Sequence, residues 1–131
     1  MKSVILDVDT GIDDALAIAY AVHSPELNVL GLTATFGNIP VEEAVRNSQF
    51  VLRKLGRSDI PVYTGAKESL RRGPRKVYAR HVHGEDGLGN MLDGENRFEI
   101  NEISAVDYLI EQVKNNSGKI TYICVGPLTN L

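Results

Sequence analysis

The fold of this chain is decided by residues 4–14, VILDVDTGIDD. Residues 2–8 are mostly apolar and rich in β-branched side chains, which is typical of a central strand in a parallel sheet. After the turn at Gly11, residues 13–22 are rich in alanine and apolar on nearly every side, which predicts a helix buried against that sheet. A strand that leads straight into a helix opens a βαβ unit, so this stretch predicts an α/β fold.

The same stretch carries four carboxylates within eight positions, Asp7, Asp9, Asp13 and Asp14. Two unit charges about 4 Å apart repel each other by roughly 4 kcal/mol at an effective dielectric constant near 20. Such crowding at a partly dry strand end requires neutralisation, either by a proton or by a divalent cation that prefers oxygen ligands. Because no basic residue occurs nearby in the sequence, the stretch favours a metal site.

The rest of the chain alternates strands and helices. Strands are predicted at residues 2–8, 28–36, 60–63 and 120–125, and helices at residues 13–22, at residues 41–55 and after a cap at Ser104. In the last helix, the side chains expected to face inward are Val106, Leu109, Ile110 and Val113. This alternation predicts a single α/β domain over residues 1–131, with an open, mostly parallel sheet and helices on both faces.

Polar or glycine-containing segments follow every predicted strand. The acidic cluster follows the first strand, and Gly37-Asn38, Thr64-Gly65 and Gly126-Pro127 follow the other three. Because ligands of open parallel sheets bind beyond the carboxyl ends of the strands, we expect these segments to meet at one binding edge. One long loop, residues 65–102, interrupts the alternation.

Composition argues against several classes of function. The chain has 131 residues and a formal net charge of −3, which argues against a nucleic-acid binder or a protein of anionic membrane surfaces. No apolar run approaches the ~20 residues of a membrane span, and the first residues lack the basic and apolar segments of a signal peptide. The single cysteine, Cys124, excludes an internal disulfide, so a cytoplasmic protein is expected.

Residues 7–15, DVDTGIDDA, resemble the N-terminal signature of the nucleoside hydrolases, including the inosine-uridine-preferring type, in which Pro is common at the position of Thr10. Three further segments resemble the family in order and spacing: TFGN at 35–38, HVHGEDG at 81–87 and VGPLTN at 125–130. The resemblance covers essentially the whole chain but only the first half or so of a normal family member. It implies the Rossmann-like α/β core of that family, and the chain is expected to be a truncated part of it.

The resemblance implies calcium-dependent hydrolysis of the N-glycosidic bond of ribonucleosides to ribose and free base. Asp9 and Asp14 would hold the calcium ion through carboxylate oxygens, with Asp7 close by and the main-chain carbonyl of Val125 as a further ligand. Calcium takes six to eight oxygen ligands, so carboxylates, a carbonyl, water and a sugar diol can share it.

The resemblance also implies roles toward the nucleoside. Asp13 and Asn38 would hold the ribose hydroxyls, and Asp9 would take a proton from a water whose pKa the cation lowers. Carboxylates suit the positive charge that develops on ribose in an oxocarbenium-like transition state. His83, on the loop near the nucleoside, is the candidate to assist departure of the base.

Alternatives stay open at this point. Residues 6–9, LDVD, also resemble the haloacid-dehalogenase-like phosphatases, with Asp7 as nucleophile and Asp9 as acid-base. The chain could instead be an inactive remnant that binds calcium or ribose without turnover. Taken singly, Asp13 could be a helix N-cap and His83 a solvated loop residue. A homo-oligomer is expected, because the last strand has no following element to cover it.

Overall fold

The computed structural model of the protein describes residues 1–94 and 98–131. Within them, parallel strands alternate with helices, and the predicted α/β class is confirmed. The elements are β1 (Lys2–Val8), α1 (Ile12–His23), β2 (Leu27–Ala34), α2 (Val41–Lys54), β3 (Val62–Thr64), α3 (Arg80–His83), α4 (Ala105–Asn115) and β4 (Ile120–Cys124), followed by a 3₁₀ turn at Leu128–Asn130. In the described ranges, none of the helices has the length and apolar character needed to cross a membrane.

The four strands form one sheet in the order β3-β2-β1-β4, and all neighbouring pairs are parallel. Because β1 is flanked by β2 and β4, its carboxyl end lies between the ends of both neighbours. The register between β1 and β2 shifts after Val4, which leaves Leu30 of β2 as a bulge. Since all strands run in the same direction, the segments that follow them meet at one edge of the sheet.

One face of the sheet packs against α1 and α2. The β1 side chains that point to this face, Val4, Leu6 and Val8, are buried and belong to one apolar cluster with residues of β2, β3 and both helices. Helix α2 contributes a full stripe at helical spacing, with Val41, Ala44, Val45, Ser48 and Leu52 buried. Burial of this apolar surface is the main force that fixes the positions of the strand ends.

Helix α4 lies on the opposite face and is oriented differently from its prediction. Ser104 caps it as expected, accepting a hydrogen bond from the Asp107 amide (3.1 Å). The side chains that pack inward are Ala105 and Tyr108, whereas three of the residues expected there, Val106, Ile110 and Val113, are 43%, 47% and 55% exposed. Together with Leu109 and side chains of β1 and β4, they line an open apolar groove.

Tyr108 explains the orientation of α4. Its ring stacks on Tyr63 of β3, with the ring centroids 3.9 Å apart. Its hydroxyl donates to the carbonyl of Leu30 at the bulge (3.1 Å), and Gly31 leaves room for the ring, because a Cβ there would approach the hydroxyl to 2.8 Å. One aromatic anchor therefore sets the helix against β2 and β3, and the aliphatic stripe is turned toward the groove.

Helix α1 is also less buried than its composition predicts. Its buried residues are Asp14, Ile18 and Ala21, whereas Leu16 is 69% and Tyr20 is 78% exposed. The reason is that α1 packs against α2 and β2 through one side, whereas Leu16 and Tyr20 lie on a side that is exposed. The alanine-rich composition indicated a helix correctly, but it did not identify a second packing surface.

Two leucine truncations test this packing. Leu32→Ala removes a fully buried side chain from the apolar cluster, so the free energy of unfolding should fall by about 2–5 kcal/mol. Leu16→Ala, on the exposed side of α1, should change it by less than about 0.5 kcal/mol. Urea denaturation of the two variants measures both values, and equal losses would contradict the described packing of α1.

Candidate active site

The loops after β1, β2 and β4 are held together by backbone hydrogen bonds just beyond the sheet. The Thr35 amide donates to the Val8 carbonyl (2.9 Å), and the Val125 amide donates to the Asp7 carbonyl (3.0 Å). Both bonds extend the parallel pairing past the strand ends, so the three loops leave the sheet side by side. This edge is where the sequence predicts the binding site.

Asp9 lies at the centre of this edge. Its Oδ2 accepts a hydrogen bond from the Asn38 amide (2.7 Å), and its side chain is buried. A Cβ at Gly37 would overlap the same carboxylate, and a Cβ at Gly126 would come within 3.0 Å of Asp9 Oδ1. Two glycines from two different loops thus let the backbone close around one carboxylate.

Asp7 is fully buried beneath Asp9. Its Oδ1 accepts hydrogen bonds from the Thr33 hydroxyl and from the Asn130 side-chain amide (2.8 Å), while its Oδ2 has no hydrogen-bond partner. Burial raises the pKa of Asp7, and the hydrogen bonds from Thr33 and Asn130 oppose that shift. One carboxylate oxygen is therefore left unsatisfied in the interior, which is costly for a protein.

Asp13 and Asp14, which are adjacent in the sequence, occupy opposite environments. Asp14 is buried and its Oδ2 accepts from the Gly11 amide (3.2 Å), whereas the side chain of Asp13 is 78% exposed. Burial, followed by the negative charge of Asp9, raises the pKa of Asp14 to about 7. The N-cap of α1 is Gly11, so the interpretation of Asp13 as a simple N-cap is wrong.

The chemistry of these donors fits a hard divalent cation. Asp7, Asp9 and Asp14 are buried, supply only oxygen atoms, and form no ion pair with Lys or Arg within residues 1–94 and 98–131. Their present positions are not those of an assembled site, because no three His, Cys, Asp or Glu side chains of the described residues converge closely enough to hold a metal. Each carboxylate is instead directed toward its own hydrogen-bond donor. The edge thus has the donor set of a cation site without its final coordination geometry.

The loop that contains His81 and His83 (residues 79–92, called the histidine loop) reaches this edge. His83, in α3, is buried, and its Nδ1 accepts a hydrogen bond from the Ile12 amide at the start of α1 (3.1 Å). The same nitrogen is 3.9 Å from a carboxylate oxygen of Asp13. His81, two residues earlier, is exposed. The interpretation of His83 as a solvated loop residue is therefore wrong.

Polar side chains of α2 hold the histidine loop in place. Arg80 forms a two-pronged ion pair with Glu43 (2.9 and 3.1 Å) and also donates to the Glu85 carbonyl. Further along, the Asp86 carboxylate accepts from the amides of Leu88, Asn90 and Leu92 (2.7, 2.8 and 3.0 Å). These bonds give the loop a defined shape although it contains little regular secondary structure.

Asn47 joins the histidine loop to the acidic loop, residues 9–11 between β1 and α1. The sequence did not identify Asn47 as a residue of the site. It is fully buried in α2, and its side-chain amide donates to the carbonyls of Thr10 (3.1 Å) and Asp86 (2.9 Å). Ser48 donates to Ala44 and accepts from the Thr10 hydroxyl (2.6 Å), a bond that Pro at that position could not form. In the sequence, Asn47 and Ser48 are visible only as two adjacent polar residues within a helix that is otherwise apolar on its inner face.

Asn130 is a second missed residue, in the turn after β4. Its Nδ2 donates to Asp7 Oδ1 (2.8 Å) and to the Ala34 carbonyl (3.0 Å), and its Oδ1 accepts from the Ala66 amide (2.8 Å). One side chain thus ties the ends of β1 and β2 to the loop after β3. The sequence shows only a turn-forming Pro-Leu-Thr-Asn segment here, which does not reveal these long-range partners.

The match to known protein families spans nearly the whole chain. Residues 4–131 match the model of the family described as inosine-uridine preferring nucleoside hydrolase. A probable uridine nucleosidase 2 of Arabidopsis thaliana is 44% identical over 130 residues, and a pyrimidine-specific ribonucleoside hydrolase of a Shewanella species is 37% identical over 130 residues. Each alignment covers 99% of this chain and 40% of the relative, so the chain spans about 40% of the length of these relatives.

Solved structures agree with the sequence matches. A plant nucleoside hydrolase superposes with a TM-score of 0.93 at 45% identity, and a purine-preferring ribonucleoside hydrolase from Gardnerella vaginalis with a TM-score of 0.93 at 37% identity. The superpositions cover 98% of this chain and 41% and 42% of the two structures. The similarity therefore includes the edge at which the acidic and histidine loops meet.

Replacing Asn47 with Leu tests the connection between the two loops. The variant leaves the Thr10 carbonyl without its Asn47 donor in a buried environment, so the free energy of unfolding should fall by about 2–3 kcal/mol. Gln49→Leu is the matched control, because Gln49 also exchanges two hydrogen bonds with loop backbone, at the exposed residue Glu99 (2.6 and 2.9 Å). Chemical denaturation should show less than about 1 kcal/mol for the control. A loss in Asn47→Leu no larger than in the control would contradict a central role for Asn47.

Proposed function

The chain belongs to the family of inosine-uridine preferring nucleoside hydrolases, and on that premise we propose that its acidic edge serves hydrolysis of the N-glycosidic bond of ribonucleosides, giving ribose and free base. The observation that carries this proposal is the buried group Asp7, Asp9 and Asp14, which has no cationic partner in the part of the chain that the structure describes. Family membership also weighs against the alternative of a haloacid-dehalogenase-like phosphatase.

Calcium is the cation that we propose for this edge. Asp9 and Asp14 would hold it with their carboxylates, the carbonyl of Val125 would add a main-chain oxygen, and Asp7 would lie close by with its unpaired Oδ2. The position of Val125 supports this assignment, because the neighbouring Gly126 lies against Asp9 and the Val125 amide is fixed to Asp7. When bound, calcium supplies positive charge that offsets the carboxylates and makes a neighbouring water more acidic.

The chain's own side chains then have separate roles. Asp9 takes the proton from the attacking water, since its carboxylate is central and is oriented by the Asn38 amide. Asp13 and Asn38 hold the ribose hydroxyls. In the described part of the structure, neither side chain has a hydrogen bond within the protein. The buried carboxylates favour the positive charge that develops on ribose as the base departs.

Asn38 is well placed for substrate because its backbone is fixed at both ends. Its amide donates to Asp9, and its carbonyl accepts from the Ala79 amide (2.9 Å) at the start of the histidine loop. The backbone position of Asn38 is therefore fixed without using the polar atoms of its side chain. His83, whose ring lies against the start of α1, completes the set as the candidate to assist the departing base.

A second candidate function is binding without turnover. It is favoured by Asp7, Asp9 and Asp14, which supply buried oxygen donors but, within the described residues, do not converge on a metal position. Helix α4 and strand β4 also leave an open apolar groove between them. A homo-oligomer would cover such apolar surface, and we include it in the proposal, as we do a cytoplasmic location inferred from the single cysteine. The names of the similar proteins include uridine, pyrimidine and purine substrates. The preferred base must therefore be determined by assaying both purine and pyrimidine nucleosides.

Calcium binding by this chain tests the cation assignment directly. Asp9→Asn and Asp14→Asn should each weaken calcium binding at least about tenfold, which corresponds to about 1.4 kcal/mol, because each removes a charged oxygen ligand. Asp59→Asn is the control, since Asp59 is exposed and paired with Arg57 away from the edge. Titration calorimetry reads binding without any need for activity. Unchanged affinity in both site variants would sink the calcium assignment.

Ribose release from a panel of purine and pyrimidine nucleosides, with calcium and then with a chelator, tests the proposed reaction. Turnover that the chelator removes supports hydrolysis, and Asn38→Ala should then lower kcat/KM by about 10²-fold through lost contacts to ribose. Asn116→Ala, at the end of α4, is the control that should leave turnover unchanged. Calcium binding without ribose release would favour the non-catalytic candidate. Release of phosphate from an aryl phosphate in the presence of magnesium would instead support the alternative function of a haloacid-dehalogenase-like phosphatase.

A further inference from the structure

We propose that the neutral imidazole of His83 carries its proton on Nε2, and that the backbone amide of Ile12 imposes this tautomer. His83 then offers the Nε2–H to the departing base as a hydrogen-bond donor. The tautomer can be measured in this chain without any substrate. Its use toward a nucleobase rests on the proposed function.

The direction of one hydrogen bond carries the assignment. The Ile12 amide is 3.1 Å from Nδ1 of His83, and a backbone N–H only donates. Nδ1 must therefore offer its lone pair, which an imidazolium ion does not have at that atom. In a neutral imidazole with Nδ1 as acceptor, the proton is on Nε2.

The start of α1 strengthens this bond. Ile12 is the first residue of the helix, so its N–H is one of the groups without a partner inside the helix, and the positive end of the helix dipole points the same way. The ring is also confined, because a Cβ at Gly11 would come within 2.5 Å of Nδ1 and 2.7 Å of Cε1. Gly11 is thus required for the close approach of His83 to the Ile12 amide.

Asp13 is the group that opposes this tautomer. Its Oδ1 is 3.9 Å from Nδ1, and a carboxylate facing that nitrogen favours a proton there. The distance is too long for a hydrogen bond, and the Asp13 side chain is 78% exposed, so water screens its charge. The Ile12 amide, at 3.1 Å in a partly buried hydrogen bond, is the stronger influence on Nδ1.

Nε2 is available to a ligand. Within residues 1–94 and 98–131, no protein atom accepts a hydrogen bond from it, although the ring as a whole is buried. A neutral N–H donates to a carbonyl oxygen or to an unprotonated ring nitrogen, and both atom types occur in the bases of ribonucleosides. His83 would thus orient the base and, through its Nε2–H, stabilise negative charge on it as the glycosidic bond breaks.

A second histidine, His23, provides an internal comparison for the tautomer of His83. Nδ1 of His23, at the end of α1, is 3.0 Å from the Ala19 carbonyl, so that nitrogen must donate. His23 therefore holds its proton on Nδ1, the opposite tautomer to His83. His81 is exposed and forms no hydrogen bond among the described residues, so it should show the mixture found in solution.

The test is ¹⁵N NMR of the whole chain with labelled histidine, at a pH above the histidine range and without substrate. Each ring nitrogen reports by its chemical shift whether it carries a proton. We expect a single Nε2–H form for His83, a single Nδ1–H form for His23 and a mixture for His81. A proton on Nδ1 of His83, or a mixture there, would overturn the proposal.

Two variants separate the amide from the rest of the site. Ile12→Pro replaces the N–H and the isoleucine side chain by the proline ring, whose Cδ takes the place of the amide hydrogen that faces Nδ1. The position is the first of the helix, which accepts proline, and Gly11 before it is already extended. His83 should lose its single tautomer, while His23 is unchanged; Ile12→Val, which keeps the N–H, is the matched control. Gly11→Ala should have the same effect as Ile12→Pro by displacing the ring. A single Nε2–H form that survives in both Ile12→Pro and Gly11→Ala would also overturn the proposal.

This measurement is independent of the proposed function. The tautomer is read from the chain without nucleoside, so absence of ribose release would contradict the proposed reaction and leave the tautomer result intact. Conversely, a wrong tautomer with active enzyme would remove the donor role of His83 and leave the assignment of the acidic edge unaffected.

Discussion

Mutual repulsion of buried carboxylates at the end of β1 is the constraint on which the rest of this structure depends. Asp7, Asp9 and Asp14 are withdrawn from water without a basic partner among the described residues, and burial raises the pKa of Asp7 and Asp14. Because burial penalises the charged form, the fold directs a separate hydrogen-bond donor at each carboxylate. The apolar cluster beneath the sheet must then supply the stability that this arrangement costs.

Two neutral side-chain amides help to hold the loops around this charge. Asn47 connects the acidic loop to the histidine loop, and Asn130 connects three strand ends, each from a buried position. A Lys or Arg at position 130 would pair with the Asp7 carboxylate and neutralise it. An amide supplies the donors and acceptors without adding charge. Under the proposed function, the negative potential of the edge would then be available to a cation and to a sugar that becomes positively charged.

The sequence predicted the parts of the fold that depend on local pattern. Strand β1 begins and ends at the predicted residues, Ser104 caps α4, and the polar segments meet at one edge. It did not predict the face of α4, because Tyr108 anchors the helix through contacts to Tyr63 and Leu30, both more than forty positions away. Asn47 and Asn130 were missed for the same reason, since hydrogen bonds between distant segments leave no periodic signal.

The atoms without a partner identify the chemistry better than the bonded ones. Most polar groups at this edge have partners, yet in the described residues Asp7 Oδ2, the side chains of Asp13 and Asn38, and Nε2 of His83 form no internal hydrogen bond. Asn47 and Asn130 fix the backbone of the loops, while these other groups remain unbonded. Under the proposed function, one set of side chains thus positions the loops and a different set binds the substrate. Under the same proposal, two acceptors, an amide and an N–H donor would suit the hydroxyls of ribose and the acceptor atoms of a base better than a phosphate, for which a cationic side chain would be expected.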